Sequence, residues 1–279
     1  MTVPTALITG ASSGIGRAFA EQLARRGYDL IAVARTRSAL DDLARTVRTS
    51  AGVHVETMAV DLATAGGCAT VERRLTAGEA VDFLVNSAGT VLSRPFQAND
   101  VADEATLLDL NIRAVMRLTH AALPRMIERR SGQVVNVSSF TALGIGGLAT
   151  TYPASKAWVL AFTEAVARSR EVVTSGVRMM TLLPGFTATD FFDRNQLGTL
   201  NLPSWAWLSP GHVVATALSD LARGRYVSIP SRRYKCASWA LRHLPHPLIR
   251  PFTWDFTNPS ALWRDPRRHR HGTRTQDHP

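Results

Sequence analysis

Lysine is almost missing from this chain. Of its 279 residues, 32 are Lys or Arg, and only Lys156 and Lys235 are lysines. Generic positive charge is supplied by arginine, so a lysine marks a place where a compact, localised ammonium is wanted. Cysteine is scarce as well: Cys68 and Cys236 cannot build a disulfide framework, which points to a reducing compartment. No apolar run approaches the ~20 residues of a membrane-spanning helix. The short stretch Ala6-Leu7-Ile8 lacks the length and the basic flank of a secretory leader. No repeat with a period of roughly 20–50 residues is present. These absences argue against a disulfide-stapled scaffold, an integral membrane protein and a solenoid. The expectation is a soluble, cytoplasmic protein.

What is present suits one large domain with an appendage. Hydrophobic residues make up 45% of the chain, enough for a full core. The net charge of +10 is uneven: from Arg223 onward, twelve basic residues stand against Asp255, Asp265 and Asp277, and the body before them is nearly neutral. The division expected is a catalytic domain over 1–230 and a basic extension over 231–279, with 264–279 too poor in apolar side chains to order. Residues 231–258 read first as a flap over a cleft or against a partner subunit. The competing reading is an interfacial helix, with Leu241, Leu244 and Leu248 on one face, making peripheral contact with an anionic membrane. No nucleic-acid recognition module accompanies the charge. His243 and His246, three apart, read as partly exposed side chains, and no metal site is expected.

Strands and helices alternate along the body. Residues 5–9, 28–34, 54–60, 81–85, 133–137, 177–183 and 226–229 read as strands. Helical stripes follow Gly14 and cover 38–50, 64–78, 101–130, 151–174 and 210–222. This order predicts an α/β fold: a doubly wound, Rossmann-like parallel sheet flanked by helices, with ligands at the carboxyl ends of the strands.

The informative residues collect at those ends. Gly10-Ala11-Ser12-Ser13-Gly14-Ile15-Gly16 turns the first strand into a helix, where glycines admit a pyrophosphate and free N–H groups meet it. Arg35 stands just past the end of the second strand with no carboxylate beside it and Arg37 nearby, which favours a ribose 2′-phosphate over a free hydroxyl. Asp61-Leu62 and Asn86-Ser87-Ala88-Gly89 end the next two strands. Asn111 sits inside a helical region, where asparagine needs a bend or a polar task. Ser138-Ser139 end the fifth strand, and Pro184-Gly185 with Thr187 follow the sixth. Tyr152 and Lys156, four apart, share one helix face, and Pro153 fits there only within the first turn. Between 186 and 209 the chain turns aromatic, as a lid or a buried segment would.

Thr9-Gly-Ala-Ser-Ser-Gly-Ile-Gly16, Asp61-Leu62, Asn86-Ser-Ala-Gly89, Asn111, Ser139, Tyr152-x-x-x-Lys156 and Pro184-Gly185 together resemble the short-chain dehydrogenase/reductase superfamily over about residues 3–230. Ser87 stands where the family often has Asn, and Pro153 follows the tyrosine. The resemblance implies a catalytic set of Asn111, Ser139, Tyr152 and Lys156. Tyr152 exchanges a proton with the substrate oxygen, Ser139 holds that oxygen, and Asn111 supports a water-linked proton path to Lys156. It implies cofactor contacts at Gly10, Ser12, Ser13, Gly14, Ile15, Gly16, Arg35, Asp61, Leu62, Asn86, Ala88, Gly89, Tyr152, Lys156, Pro184, Gly185 and Thr187.

The function expected is carbonyl–alcohol interconversion with NADP(H) in preference to NAD(H), on a bulky apolar substrate, by a homodimer or homotetramer. Reduction of a 3-oxoacyl thioester is the alternative within the class, and a non-catalytic NADP-sensing protein the alternative outside it. Lys156 and the cofactor's cationic ring are expected to draw the Tyr152 phenol down by ~2–3 units.

Overall fold

A computed structural model describes residues 3–144, 149–197 and 203–243, without the side chain of Arg242. The expectations for Leu244, His246, Leu248 and the 264–279 tail lie outside the described residues. Seven strands form one parallel sheet: β1 Thr5–Thr9, β2 Asp29–Ala34, β3 Val55–Ala59, β4 Phe83–Asn86, β5 Gln133–Val137, β6 Arg178–Leu182 and β7 Val227–Ser228, ordered β3-β2-β1-β4-β5-β6-β7. The order reverses between β1 and β4, so the crevice for a ligand opens at their carboxyl ends.

The central strands are continuous apolar runs because helices cover both faces. The helices are α1 Gly14–Ala24, α2 Arg37–Ala51, α3 Ala65–Ala77, α4 Val101–Leu108, α5 Ala114–Glu128, α6 Tyr152–Ala167, α7 Arg170–Ser175, α8 Phe191–Arg194, α9 Pro210–Ala222 and α10 Arg232–His243. Helices α1, α2 and α9 close one core around Phe19, Leu40 and Leu218, and α3 and α5 close the other around Val71, Leu75 and Leu118. Among the described residues no helix is long and apolar enough to cross a membrane.

Two helical expectations need correction. Residues 101–130 are not one regular helix: a π-helical turn at Asp109–Arg113 separates α4 from α5. Asn111 lies in that turn, so the bend and the polar task occur together. Residues 151–174 divide into α6 and α7, because Ser169 is extended and starts a new helix. Pro153 lies in the first turn of α6, where its missing N–H leaves no bond unmade.

The strand ends are held at fixed height by buried hydroxyls and amides. Thr9 Oγ1 accepts from the N–H groups of Ser87 and Ala88, both at 3.0 Å, tying the end of β1 to the turn after β4. Thr9→Val is expected to leave those two donors unmet and cost about 2–4 kcal/mol, with Thr9→Ser much milder because it keeps the acceptor. Urea unfolding of the three proteins checks this; equal stability of the Val and Ser variants would contradict it.

Candidate active site

Gly10 and Gly14 have φ of +66° and +56°, so the turn after β1 depends on glycine at both positions. A Cβ on Gly16 would lie 2.2 Å from Gly10 O, so the start of α1 can pack onto the turn only without a side chain. The result is a bare helix N-terminus, with Ser12, Ser13 and Gly14 lining a cavity of about 770 Å³. Free N–H groups and a positive dipole end suit a phosphate there.

The same cavity is lined by Ala88 and Gly89 after β4, Ser138 and Ser139 after β5, Tyr152 and Lys156 on α6, and Pro184, Gly185 and Thr187 after β6. Gly10, Ile15 and Gly16 complete the glycine turn's share of the wall. Residues from five parts of the chain therefore meet at one sheet edge. Arg35, Asp61 and Leu62 do not line the cavity. They stand just past the ends of β2 and β3, the neighbouring strands at that edge. Arg35 is exposed, Asp61 Oδ1 accepts from Ala63 N at 3.0 Å, and the Leu62 side chain is packed in the core.

Asn86, expected to line the cofactor, is not among the residues that line the cavity. Its amide is buried away from the cavity, donating to Thr119 Oγ1 at 3.2 Å and Asn136 Oδ1 at 2.8 Å. Asn136 passes the chain on to Thr163 Oγ1 at 2.9 Å, so this polar row fastens α5, β4, β5 and α6 together. Asn111 is fully buried, and its side chain is committed to Thr90 and Ser155. Oδ1 accepts from Thr90 N at 3.0 Å, and Nδ2 donates to Thr90 O at 2.9 Å and Ser155 Oγ at 3.2 Å. Ser155 in turn donates to Tyr152 O at 2.7 Å. Asn111 thus steadies the first turn of α6 and the Thr90 backbone next to Gly89.

Tyr152 and Lys156 are 7% and 5% exposed. Lys156 Nζ lies 5.7 Å from the Tyr152 ring centroid and donates to Val137 O at 3.1 Å. The two serines after β5 separate in role. Ser138 Oγ is buried and donates to Lys156 O at 2.6 Å, and Ser139 bonds the Tyr152 phenol.

Burial pushes that phenol up to about 12, against a smaller downward pull from the Ser139 bond. Burial also draws Lys156 down to about 8. The expected lowering of Tyr152 is therefore not a property of the polypeptide alone. The ammonium is bonded to a backbone carbonyl, and removal from water dominates the shift of the phenol.

The cradle fits a nicotinamide dinucleotide. A Cβ on Gly89 would come within 3.2 Å of Asn111 Oδ1 and 3.3 Å of Lys156 Nζ, so the glycine keeps open the space above the lysine. Gly10 to Gly16 would hold the pyrophosphate, and Lys156, Ala88, Gly89 and Thr187 the nicotinamide half.

Several contributors carried no motif. Glu104 is 3% exposed, accepts from Thr151 N at 3.1 Å and Thr151 Oγ1 at 2.5 Å, and so anchors the residue that starts α6. Phe140, Phe191, Arg233 and Tyr234 line the cavity, the last two from α10. Glu104 stands next to Asp103 and near Asp100 and Asp109, so the sequence did not single it out, and no spacing pointed to Tyr234.

The Lys156 shift has a definite sign. Its folded pKa of about 8 lies below the ordinary 10.5. The burial cost is therefore fully present below pH 8 and fades as pH rises through the window up to 10.5. The shift corresponds to about 3 kcal/mol. Lys156→Met is expected to be more stable than the parent at pH 7 by about 1–3 kcal/mol, with the gain shrinking toward pH 10. Chemical denaturation at both pH values checks this. A variant less stable at pH 7 would show that the ammonium is fully compensated.

A family model described as short chain dehydrogenase matches residues 4–198. A short-chain dehydrogenase from Sphingobium yanoikuyae, solved in complex with NADPH, is 34% identical with a TM-score of 0.78, covering 87% of this chain and 94% of that one. The bulky-bulky ketone specific alcohol dehydrogenase from Comamonas testosteroni is 32% identical with a TM-score of 0.73, covering 88% and 94%. The very-long-chain 3-oxoacyl-CoA reductase-A of Danio rerio is 34% identical over 188 residues, 66% of this chain and 58% of that protein. This chain therefore spans little more than half the length of that reductase. With its parallel sheet, its glycine turn, and Ser139 beside the buried Tyr152 and Lys156, the chain belongs to the short-chain dehydrogenase/reductase superfamily and is an NAD(P)-dependent oxidoreductase.

Proposed function

We propose that the protein interconverts a bulky apolar ketone or aldehyde and its alcohol, using NADP(H) in preference to NAD(H). The observation that carries this reading is the setting of Ser139, Tyr152 and Lys156. They share a cavity of about 770 Å³ with Phe140, Phe186, Phe191, Phe192 and Trp205. Aromatic walls reward apolar substituents on both sides of a carbonyl. The likeness to an enzyme named for bulky-bulky ketones supports the same substrate class.

The chain's own residues divide the work. Tyr152, with its raised pKa, is held as the proton-bearing phenol at neutral pH, the form that donates to a carbonyl oxygen during reduction. Ser139, bonded to the phenol, holds the same oxygen. Lys156, fixed by Val137 O beside the Tyr152 ring, would hold the nicotinamide ribose. A bound nicotinamide supplies or accepts the hydride. Arg35, exposed past β2 with no carboxylate at that strand end, suits a 2′-phosphate. The likeness to a protein solved with NADPH supports that preference. A homodimer or homotetramer joined through α5 and α6 belongs to the same reading. Met116 is 42% exposed on α5, and the stacked Trp158–Phe162 pair is only half-buried on α6.

A 3-oxoacyl thioester is the second reading, favoured by the likeness to the Danio rerio reductase and by Arg194 and Arg233 in the cavity lining. A KM that rises steeply with salt for acyl thioesters but not for neutral ketones would select it.

The test is NADPH consumption across ketones, aldehydes and acyl thioesters. Tyr152→Phe is expected to lose about 10²–10⁴-fold in kcat, the usual worth of a positioned proton donor. Arg35→Ala is expected to raise KM for NADPH at least about tenfold while leaving NADH nearly unchanged, as loss of one charge-assisted phosphate contact does. Near-normal turnover by Tyr152→Phe would overturn the proton-donor role, and an unchanged nucleotide preference in Arg35→Ala would overturn the cofactor assignment.

A further inference from the structure

The family match ends at residue 198, yet α10 borders the cavity. Its Tyr234 makes contacts that the active-site motifs do not account for. A Cβ built on Gly185 would lie 2.1–2.4 Å from three carbons of the Tyr234 ring. Gly185 is therefore required to be bare, because an aromatic ring from α10 occupies the space a side chain would need.

The hydroxyl has an equally specific place. Beyond β6 the chain runs parallel to residues 206–208: Leu208 N donates to Phe186 O at 2.8 Å, and Ala188 N donates to Leu208 O at 2.8 Å. The next rung of a parallel ladder would be Phe186 N to Ala206 O. Tyr234 Oη fills it instead, accepting from Phe186 N at 3.0 Å and donating to Ala206 O at 2.9 Å. The phenol is a spacer built into the ladder, holding two cavity walls one hydroxyl apart.

The ring also meets Phe140 edge-on, with centroids 5.0 Å apart and planes at 76°. Phe140 follows Ser139, and its N–H donates to Pro184 O at 3.0 Å. One side chain thus touches the Ser139 loop, the Gly185 loop and the 204–206 turn. Movement at Tyr234 is transmitted to the residue next to the substrate-oxygen donor and to the segment carrying Phe186.

We propose that Tyr234 is a positioning residue that bolts the Ser139 and Gly185 loops to the 204–206 turn, and that the wall it fixes selects among carbonyl substrates by size. This rests on the carbonyl–alcohol reading for its substrate arm but not for its structural arm. Ala237, Ala240 and Leu241 extend the same wall along α10. The small pair leaves room for a bulky group, and Tyr234 sets how far that room lies from Tyr152.

Tyr234→Phe tests the idea in the full chain, because it keeps the ring against Gly185 and removes only the hydroxyl. Two readouts are taken. Hydrogen exchange is expected to accelerate roughly five- to tenfold at the Phe186 amide, the loss of one net hydrogen bond, with no change across the glycine turn at 10–16. In parallel, the ratio of kcat/KM for a diaryl ketone to that for a small aliphatic ketone is expected to change at least about fivefold, as a displaced contact wall would produce. Unchanged exchange overturns the bolt, whatever the enzyme turns over. Faster exchange with an unchanged ratio overturns the selecting role and leaves Tyr234 a structural residue. If the parent protein reduces no ketone or aldehyde, the carbonyl reading falls, and faster exchange still supports the bolt.

Discussion

Burying an ammonium beside a phenol on one turn of helix is the constraint from which the rest of the site follows. Tyr152 and Lys156 lose most of their water, and each is driven toward its neutral form. Everything adjacent moderates that cost. Val137 offers a carbonyl to Nζ, Ser138 holds the helix backbone at Lys156, and Ser139 bonds the phenol. Gly89 withholds a side chain so that the lysine faces open space. A solvated pair four apart would need none of this.

The sheet provides the rigidity that such a pair requires. Ser138 and Ser139 follow β5 and meet α6 across the sheet face, so their spacing depends on how β4, β5 and α6 are fastened. The Thr119–Asn86–Asn136–Thr163 row does that fastening inside the protein, with the Thr9 hydroxyl tying β1 to the following turn. Buried polar rows of this kind specify one arrangement because any slip leaves donors unmet. Asn111 completes the frame by converting the π-helical turn between α4 and α5 into a support for the first turn of α6.

Much of the architecture was legible in the sequence. Apolar runs bounded by glycine, asparagine and serine announced the parallel strands, and Asn111 in a helical stretch announced an irregularity. The scarcity of lysine pointed at Lys156 before any motif was assembled. Other features were not legible, for physical reasons. Asn86 sits at a strand end among small residues, and which way its amide turns depends on Thr119 and Asn136, many residues away. Gly185 reads as a cofactor-facing glycine, but its bareness answers to Tyr234, 49 positions later in the numbering of the chain. The direction of the Tyr152 shift is set by burial, which a four-residue spacing does not encode.

Lys156 is desolvated far enough to titrate well below the ordinary lysine range. The near absence of lysine makes this directly measurable. Protein labelled with ¹³C at lysine Cε carries two such positions, Lys156 and Lys235, and comparison with Lys156→Met assigns them. A Lys156 midpoint of about 8 is expected in the protein free of nucleotide. A midpoint at the ordinary lysine value of about 10.4 would contradict it, and with it the view that burial governs this site.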